Sequence, residues 1–182
     1  MKALKIIGAV IVGFIVLSVL LNKCDDSVPS QSVSDLEYHQ TAQPKSNWNK
    51  EFKVDGMTED TIKFYTNIST NKHQFEFPYN GGSTLHIVIR EENKKRDVIL
   101  QISKGQFTGS FGGETIDVKF DDGQVIKYKY SMDTNGEMSH VYLRDSKGFI
   151  SKIKNAQKVK ISPPFYQSGQ KVFEFKTEGL EL

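Results

Sequence analysis

The sequence predicts a mainly β protein: an antiparallel β-sandwich or small barrel of about nine strands with one short helix, preceded by an N-terminal membrane helix. Three observations lead to this prediction. Apolar and polar residues alternate in short runs between residues 61 and 175, as in strands that bury one face. Asn-Gly and Asp-Gly pairs between these runs favour tight hairpins. An uncharged apolar segment begins near the N-terminus.

Residues 6–21 form this apolar segment, IIGAVIVGFIVLSVLL, and Lys2 and Lys5 precede it. As a helix it would be about 24 Å long, against a bilayer core of about 30 Å. Lys5 and Lys23 can extend to the two interfaces and make a short span feasible. We therefore predict a single-pass inner-membrane anchor. Its basic end would lie in the cytoplasm and the C-terminal domain in the periplasm.

Two alternatives for this leader remain open. A cleaved signal, leaving a secreted periplasmic protein, needs a small-x-small site, and Ser18-Val-Leu20 and Leu21-Asn-Lys23 are poor ones. A lipoprotein would carry its lipid on Cys24, the only cysteine, but Lys23 stands where small residues precede a lipidated cysteine. A single cysteine also means that no intramolecular disulfide can stabilise the fold.

Composition divides the chain into three parts. Residues 1–24 are the anchor or signal segment, residues 25–47 are a flexible linker, and residues 48–182 are an extracytoplasmic β domain. The linker is rich in Ser, Gln, Asp and Pro, a composition that does not bury a core, and its typical reach is about 25–30 Å. Four of the 24 Lys and Arg residues and four of the 22 Asp and Glu residues precede Trp48, which leaves 20 against 18. Such a balance argues against a nucleic-acid partner.

Each predicted strand has one inward apolar face. The inward residues are Ile62 and Phe64; Phe75 and Phe77; Leu85, Ile87 and Ile89; Val98, Leu100 and Ile102; Ile116, Val118 and Phe120; Ile126, Tyr128 and Tyr130; Val141 and Leu143; Val159 and Ile161; and Phe173 and Phe175. Turns are predicted at Asn80-Gly81, Asp122-Gly123 and Asn135-Gly136, with a polar connection over residues 91–96.

One segment departs from this alternation. From Phe149 the apolar residues follow at i, i+1, i+4 and i+7, which predicts a helix of about ten residues. Asp145 or Ser146 can cap its start. We expect this helix to cover an open end or one face of the sheet. Pro163-Pro164 should end the strand that follows, because proline cannot donate to a β-ladder.

The sequence contains no motif that indicates catalysis. We find no P-loop, nucleophile elbow or dinucleotide fingerprint. His39, His73, His86 and His140 lack the spacing of metal ligands. Residues 133–137 superficially resemble a calcium loop, but a hairpin turn explains them better. We therefore predict a protein that is not an enzyme and that needs no cofactor or metal.

Two features are candidates for partner contact. Lys147, Lys152, Lys154, Lys158 and Lys160 form a basic stretch that could face anionic lipid or polymer, or could be an ordinary solvated face.

Phe165 and Tyr166 form the second candidate. They lie in the proline-stiffened connection PPFYQSG, where exposed aromatic rings could bind a partner. The alternative is that this loop folds both rings into the core.

A series of turn and core motifs runs in a fixed order along residues 48–182. These motifs are Trp48, Asp55-Gly-Met57-Thr58, Phe77-Pro-Tyr79, Val88-Ile-Arg90, Gly105-Gln-Phe107, Phe120-Asp-Asp-Gly123, Phe149-Ile150, Pro164-Phe-Tyr166, Phe173-x-Phe175 and Gly179-Leu180. In this order they resemble an uncharacterised family of small proteobacterial envelope proteins and, more remotely, the VasI group of type VI secretion-associated proteins. The resemblance implies a fold and an envelope location, and it brings no catalytic residues.

These observations predict a membrane-tethered extracytoplasmic binding or accessory module of the bacterial envelope. Its expected partners are the inner membrane, through residues 6–21, and an envelope protein. One alternative is a carrier of a small lipid or glycan ligand, and a less favoured one is a hydrolase of envelope polymer. A roomy cavity inside the sheet would favour the carrier, whereas a filled core would favour protein binding.

Overall fold

The computed structural model describes residues 46–109, 114–133 and 135–182. Over these residues the chain is mainly β, with a nine-stranded antiparallel sheet, a two-stranded ribbon and one short helix. The strands are β1 (Asn49–Val54), β2 (Thr61–Ile68), β3 (Leu85–Glu92), β4 (Lys95–Ile102), β5 (Thr115–Phe120), β6 (Val125–Met132), β7 (His140–Leu143), β8 (Lys158–Ser162), β9 (Pro164–Phe165), β10 (Gly169–Gln170) and β11 (Phe173–Lys176). The helix α1 is Ser146–Ile153.

The sheet has the order β1-β2-β3-β4-β7-β6-β5-β8-β11, and β9 pairs with β10 in the separate ribbon. Most neighbours are consecutive in sequence, as in a meander of hairpins. Three non-consecutive pairings, β4 with β7, β5 with β8 and β8 with β11, complete the sheet. The expected antiparallel sheet is therefore confirmed, although it is not a simple meander.

The turns follow the sequence signals in most places. Asp122-Gly123 connects β5 to β6, and Asn135-Gly136 lies between β6 and β7, as predicted. The polar connection at residues 91–96 is tighter than expected, because β3 and β4 are joined by Asn93 and Lys94 alone. Both have positive φ angles, 49° and 64°, as a two-residue hairpin turn requires.

The strand predicted around Phe75 and Phe77 is wrong. That segment forms a loop, with a single β-bridge between His73 and Ser83. Phe75 is buried, but Phe77 is 87% exposed, so the two rings do not share an inward face. Pro78 follows directly and supplies no N–H for a ladder.

The inward face of β2 also differs from the prediction. Ile62 and Phe64 are half-buried, whereas Tyr65 is buried and pairs with the core residue Ile89. The β1 strand was missed altogether. All six of its residues are exposed, so its sequence carries no alternating apolar face.

The core fills the inside of the curled sheet. Nearly all inward residues predicted from β3 onward are buried, and Phe120 and Ile126 are partly buried against them. The fully buried side chains are large and apolar, and they include Leu85, Ile87 and Leu100. Close packing of such side chains leaves few voids larger than a water molecule.

The C-terminal segment bonds to the end of β2 and to Trp48, directly before β1. The N–H of Thr70, just after β2, donates to the β11 carbonyl of Glu174 at 2.8 Å. Further along, the Asn67 amide donates to the carbonyl of Lys176 at 2.7 Å. The indole N–H of Trp48 donates to the carbonyl of Thr177 at 3.0 Å. These bonds curl the sheet around the core.

One end of the curled sheet is covered by α1, as expected. Phe149 is fully buried and packs edge-on against Phe120 and Tyr128, with ring centroids 5.5 Å apart in both pairs. The helix begins where predicted, because the Asp145 carboxylate accepts the N–H of Gly148 at 2.9 Å. Beyond β8, Pro163 and Pro164 end the strand.

The opposite end is closed by a cluster of aromatic rings. Phe165 stacks on Phe107 at 5.1 Å and meets Phe75 and Phe173 edge-on, at 4.9 and 5.9 Å. All four rings are buried. Such pairs add to the stability that their burial already supplies.

The predicted anchor, Cys24 and all of the linker up to residue 45 lie outside the described residues. Among the residues that are described, no helix is both long enough and apolar enough to cross a bilayer. Ser46 and Asn47, expected at the end of the linker, already bond to the domain. Ser46 Oγ donates to the carbonyl of Gly179, and the N–H of Asn47 donates to that of Glu178.

Replacing the ring that anchors α1 should destabilise the whole domain. We expect Phe149→Ala to lower the free energy of unfolding by about 3–5 kcal/mol, because a buried ring is removed and a cavity remains. The control is Lys147→Ala on the same helix, where the exposed side chain should change stability by less than about 0.5 kcal/mol. Urea unfolding followed by the fluorescence of Trp48 measures both. An equal loss of stability in the two variants would contradict the packing of α1 against the sheet.

Candidate functional site

A cleft of about 160 Å³ lies beside the aromatic cluster, at the end of the sheet opposite α1. Three loops form it: residues 75–79 between β2 and β3, Gln106 after β4, and residues 166–168 between β9 and β10. We call it the aromatic cleft. Its lining residues are Phe75, Glu76, Phe77, Pro78, Tyr79, Gln106, Tyr166, Gln167 and Ser168.

The β9–β10 ribbon presents Tyr166 at this cleft. The N–H of Tyr166 donates to the carbonyl of Gln106 at 2.9 Å, and that of Ser168 donates to Phe165 at 3.2 Å. Gln167 has a φ of 55°, which completes the tight turn. Tyr166 is consequently 54% exposed on a hydrogen-bonded loop.

Phe165 does not have the role that the sequence suggested. Its ring is 2% exposed and belongs to the aromatic cluster, so it cannot contact a partner directly. The expectation of an exposed pair at Phe165 and Tyr166 is therefore corrected to one exposed ring. Phe165 instead holds the loop against the core, which fixes the position of Tyr166.

Phe77 is the second exposed ring of the cleft, and sequence reasoning missed it. Period-two alternation placed it inward together with Phe75. The N–H of Tyr79 donates to the carbonyl of Glu76 at 3.0 Å, so the segment turns at Phe77 and Pro78 instead of extending. The proline directly after Phe77 is the signal that could have identified a turn.

The chemistry of the aromatic cleft suits binding. Its lining combines four aromatic side chains with the amides of Gln106 and Gln167 and the hydroxyl of Ser168. Glu76 is the one formally charged side chain among its lining residues. Aromatic rings offer apolar area at a low entropic cost, and the polar groups of the cleft can orient a ligand.

The five lysines of the predicted basic stretch are all exposed, but they do not form one surface. Lys158 and Lys160 line an open groove of about 700 Å³ that also contains Asp121, Asp122 and Glu174. Lys160 pairs with Glu174 at 2.7 Å, and this hydrogen bond lowers the pKa of the Glu174 carboxyl. This groove therefore carries charges of both signs.

Lys152 lies in a different cleft, of about 490 Å³, between α1 and β6. Lys129 and Arg144 line it too, together with Tyr128, whose pKa is raised by burial. Lys147 and Lys154 line neither this cleft nor the groove of Lys158 and Lys160. The structure thus brings Lys152 together with three cations, Lys127, Lys129 and Arg144, that the basic stretch did not include.

The histidines of the described residues have structural partners. His140 contacts the carboxylates of Asp133 and Glu137 at 3.0 and 3.4 Å. His73 packs edge-on against the ring of Phe173, and burial lowers the pKa of His86. Within the three described ranges, no group of three or more His, Cys, Asp or Glu residues is arranged to hold a metal ion.

Comparison of the chain with protein-family models, with curated proteins and with solved structures finds no match.

The different roles of the two neighbouring aromatic residues can be tested by truncation. We expect Phe165→Ala to lower the free energy of unfolding by about 3–5 kcal/mol, because its ring is buried among three others. Tyr166→Ala should change it by less than about 0.5 kcal/mol, because that ring is exposed. Chemical denaturation measures both variants. A large loss from Tyr166→Ala would contradict its placement at the surface.

Proposed function

We propose that this protein is a membrane-tethered, extracytoplasmic binding or accessory module of the bacterial envelope, with no catalytic activity. The binding role in this proposal rests on the aromatic cleft. Phe77 and Tyr166 are exposed on loops whose neighbours, Phe75 and Phe165, are buried. Rings held in this way lose little conformational freedom when a partner covers them.

The partner that suits this surface best is another envelope protein. Exposed aromatic side chains are enriched among the residues that dominate the binding energy of protein interfaces. The cleft also contains polar side chains, as protein interfaces commonly do. A volume of about 160 Å³ accommodates one or two side chains of a partner.

The interior of the sheet supports binding at the surface over carriage of a ligand inside. We propose that the curled sheet forms a small barrel. Its inward positions are occupied by large buried side chains such as Ile89, Leu100 and Tyr130. A carrier barrel instead leaves an apolar cavity among its inward residues.

The location is proposed from the N-terminal sequence. The apolar segment of residues 6–21 is the basis for a single-pass inner-membrane anchor with the domain in the periplasm, and the linker gives the domain its reach. The resemblance to small proteobacterial envelope proteins, and remotely to the VasI group, is in accord with that location. A lipid on Cys24 or a cleaved leader would keep the domain in the same compartment.

Site-specific photo-crosslinking in intact cells tests the proposal. A photo-reactive amino acid placed at position 77 or at position 166 should yield the same protein adduct. The same amino acid at Val125, which is exposed on β6 away from the aromatic cleft, is the matched control and should yield none. Phe77→Ala should reduce the adduct from position 166 about tenfold, as expected for loss of a dominant contact.

Two results would contradict the proposal. One is an adduct that forms equally well from Val125, and the other is an adduct from position 166 that is insensitive to Phe77→Ala. Denaturation of the Phe77→Ala variant should show unchanged stability, because the ring is exposed. A reduced adduct therefore could not be attributed to unfolding.

A second candidate is binding of a glycan at the same cleft. The observation that favours it is the combination of two exposed aromatic faces with the amides of Gln106 and Gln167. Sugar rings can present apolar faces to aromatic rings while their hydroxyls hydrogen-bond to amides. Binding of a neutral disaccharide by the purified chain, together with no protein adduct in cells, would favour this candidate over a protein partner.

A further inference from the structure

The first strand of the sheet has a free edge. β1 stands at the end of the strand order and pairs only with β2. All six of its residues are exposed, and Phe52 and Val54 are 66% and 62% exposed. A free edge that presents apolar side chains is a template for another strand.

The backbone groups that face this edge can be assigned. The N–H of Asp55 donates to the carbonyl of Asp60 at 2.9 Å, which continues the β1–β2 ladder in register. In an antiparallel ladder, residues that bond to the neighbouring strand alternate with residues whose N–H and C=O point away from it. Lys50, Phe52 and Val54 therefore direct their backbone groups to the free edge. Outside that ladder, the described chain provides no hydrogen bond to these groups.

The sequence of β1, NKEFKV, restricts which strand can add there. A second β1 strand running antiparallel must set the even-numbered residues opposite one another, since these carry the free backbone groups. The two-fold axis of such a pair passes through one residue of β1, which then lies opposite its own copy. With Glu51 on the axis, two glutamates face each other, and with Lys53 on the axis, two lysines do. Like charges directly opposite each other are destabilising.

Centring the pair on Phe52 removes both conflicts. Each Glu51 then lies opposite Lys53 of the other copy, twice in the dimer, and the two Phe52 rings meet at the two-fold axis. Lys50 lies opposite Val54, so that three residue pairs exchange about six backbone hydrogen bonds. A parallel in-register pair would set each charge beside its own copy.

We propose that β1 is a homodimer interface, in which two copies of this chain join their sheets edge to edge in the register centred on Phe52. The interface is isologous, as in most homodimers. It would bring two aromatic clefts into one particle, which strengthens attachment to a repeated partner through multivalency. The pairing itself depends only on β1 and not on what the cleft binds.

Disulfide trapping of the full chain tests the register. In a Cys24→Ser background, Phe52→Cys places two thiols on the axis, where Cα atoms of a hydrogen-bonded pair lie about 5.5 Å apart, within disulfide range. The matched control is Met57→Cys, 93% exposed in the adjoining turn. In the proposed dimer its two copies lie about 30 Å apart. Mild oxidation of the purified chain in detergent should cross-link the first variant and not the second.

Charge reversal distinguishes this interface from chance collision. Added to the Phe52→Cys variant, Glu51→Lys or Lys53→Glu alone should lower the cross-linked fraction about five- to thirtyfold, because two attractive pairs become repulsive. The double reversal restores opposite charges across the axis and should restore cross-linking. Both positions are exposed, so neither change should affect folding.

Two outcomes would overturn the proposal. One is equal cross-linking of the Phe52→Cys and Met57→Cys variants, which would indicate random encounter. The other is a double reversal that cross-links no better than the single ones, which would exclude the Glu51–Lys53 register.

Discussion

Thr177 holds together the parts of the chain that close the sheet, and the rest of the structure depends on that closure. Its side chain is buried, and its three polar groups are bonded to two other segments of the chain. Its N–H donates to the carbonyl of Gln157 at 2.9 Å, and its hydroxyl donates to that of Ala156 at 2.6 Å, both just after α1. Its own carbonyl accepts the indole N–H of Trp48. Buried polar groups satisfied in this way fix one arrangement of the surrounding chain.

Closure at Thr177 also explains why the next residues must approach the start of the domain so closely. Gly179 has a φ of 81°, and a Cβ there would lie 2.8 Å from the Cα of Ser46. Only glycine meets both conditions without displacing Ser46. Once the C-terminal segment is in place, the inward side chains form one filled core. The two surfaces proposed for binding, the aromatic cleft and the free edge of β1, lie on the outside of the sheet.

Much of the fold follows from local signals that the sequence carries plainly. The alternation in β3, β4 and β5 and the helical spacing from Phe149 are direct consequences of which side chains are buried. The cap at Asp145 follows from the same local chemistry. β1 could not be predicted in this way, because an edge strand with both faces exposed leaves no periodic pattern. Closure by Thr177 depends on residues more than 100 positions apart, which single-sequence patterns do not pair.

The candidate site, like the fold, could be predicted from the sequence only in part. The sequence indicated an aromatic loop after Pro164, and the loop does reach the surface, but only Tyr166 is exposed. Which of two adjacent rings turns inward is decided by Phe107 and Phe75, which come from other parts of the chain. The five lysines were grouped because they are close in sequence. A helix and a strand distribute such neighbours over different faces, so proximity in sequence gave no common surface.

Amide hydrogen exchange of the native chain tests the closure most directly. The amides of Thr70 and Thr177 bond to the carbonyls of Glu174 and Gln157, so they should exchange as slowly as those of the central β3–β4 ladder, through global unfolding alone. If they exchanged at the rate of exposed loops while β3 and β4 stayed protected, the C-terminal segment would not hold the sheet closed, and this account of the fold would be wrong.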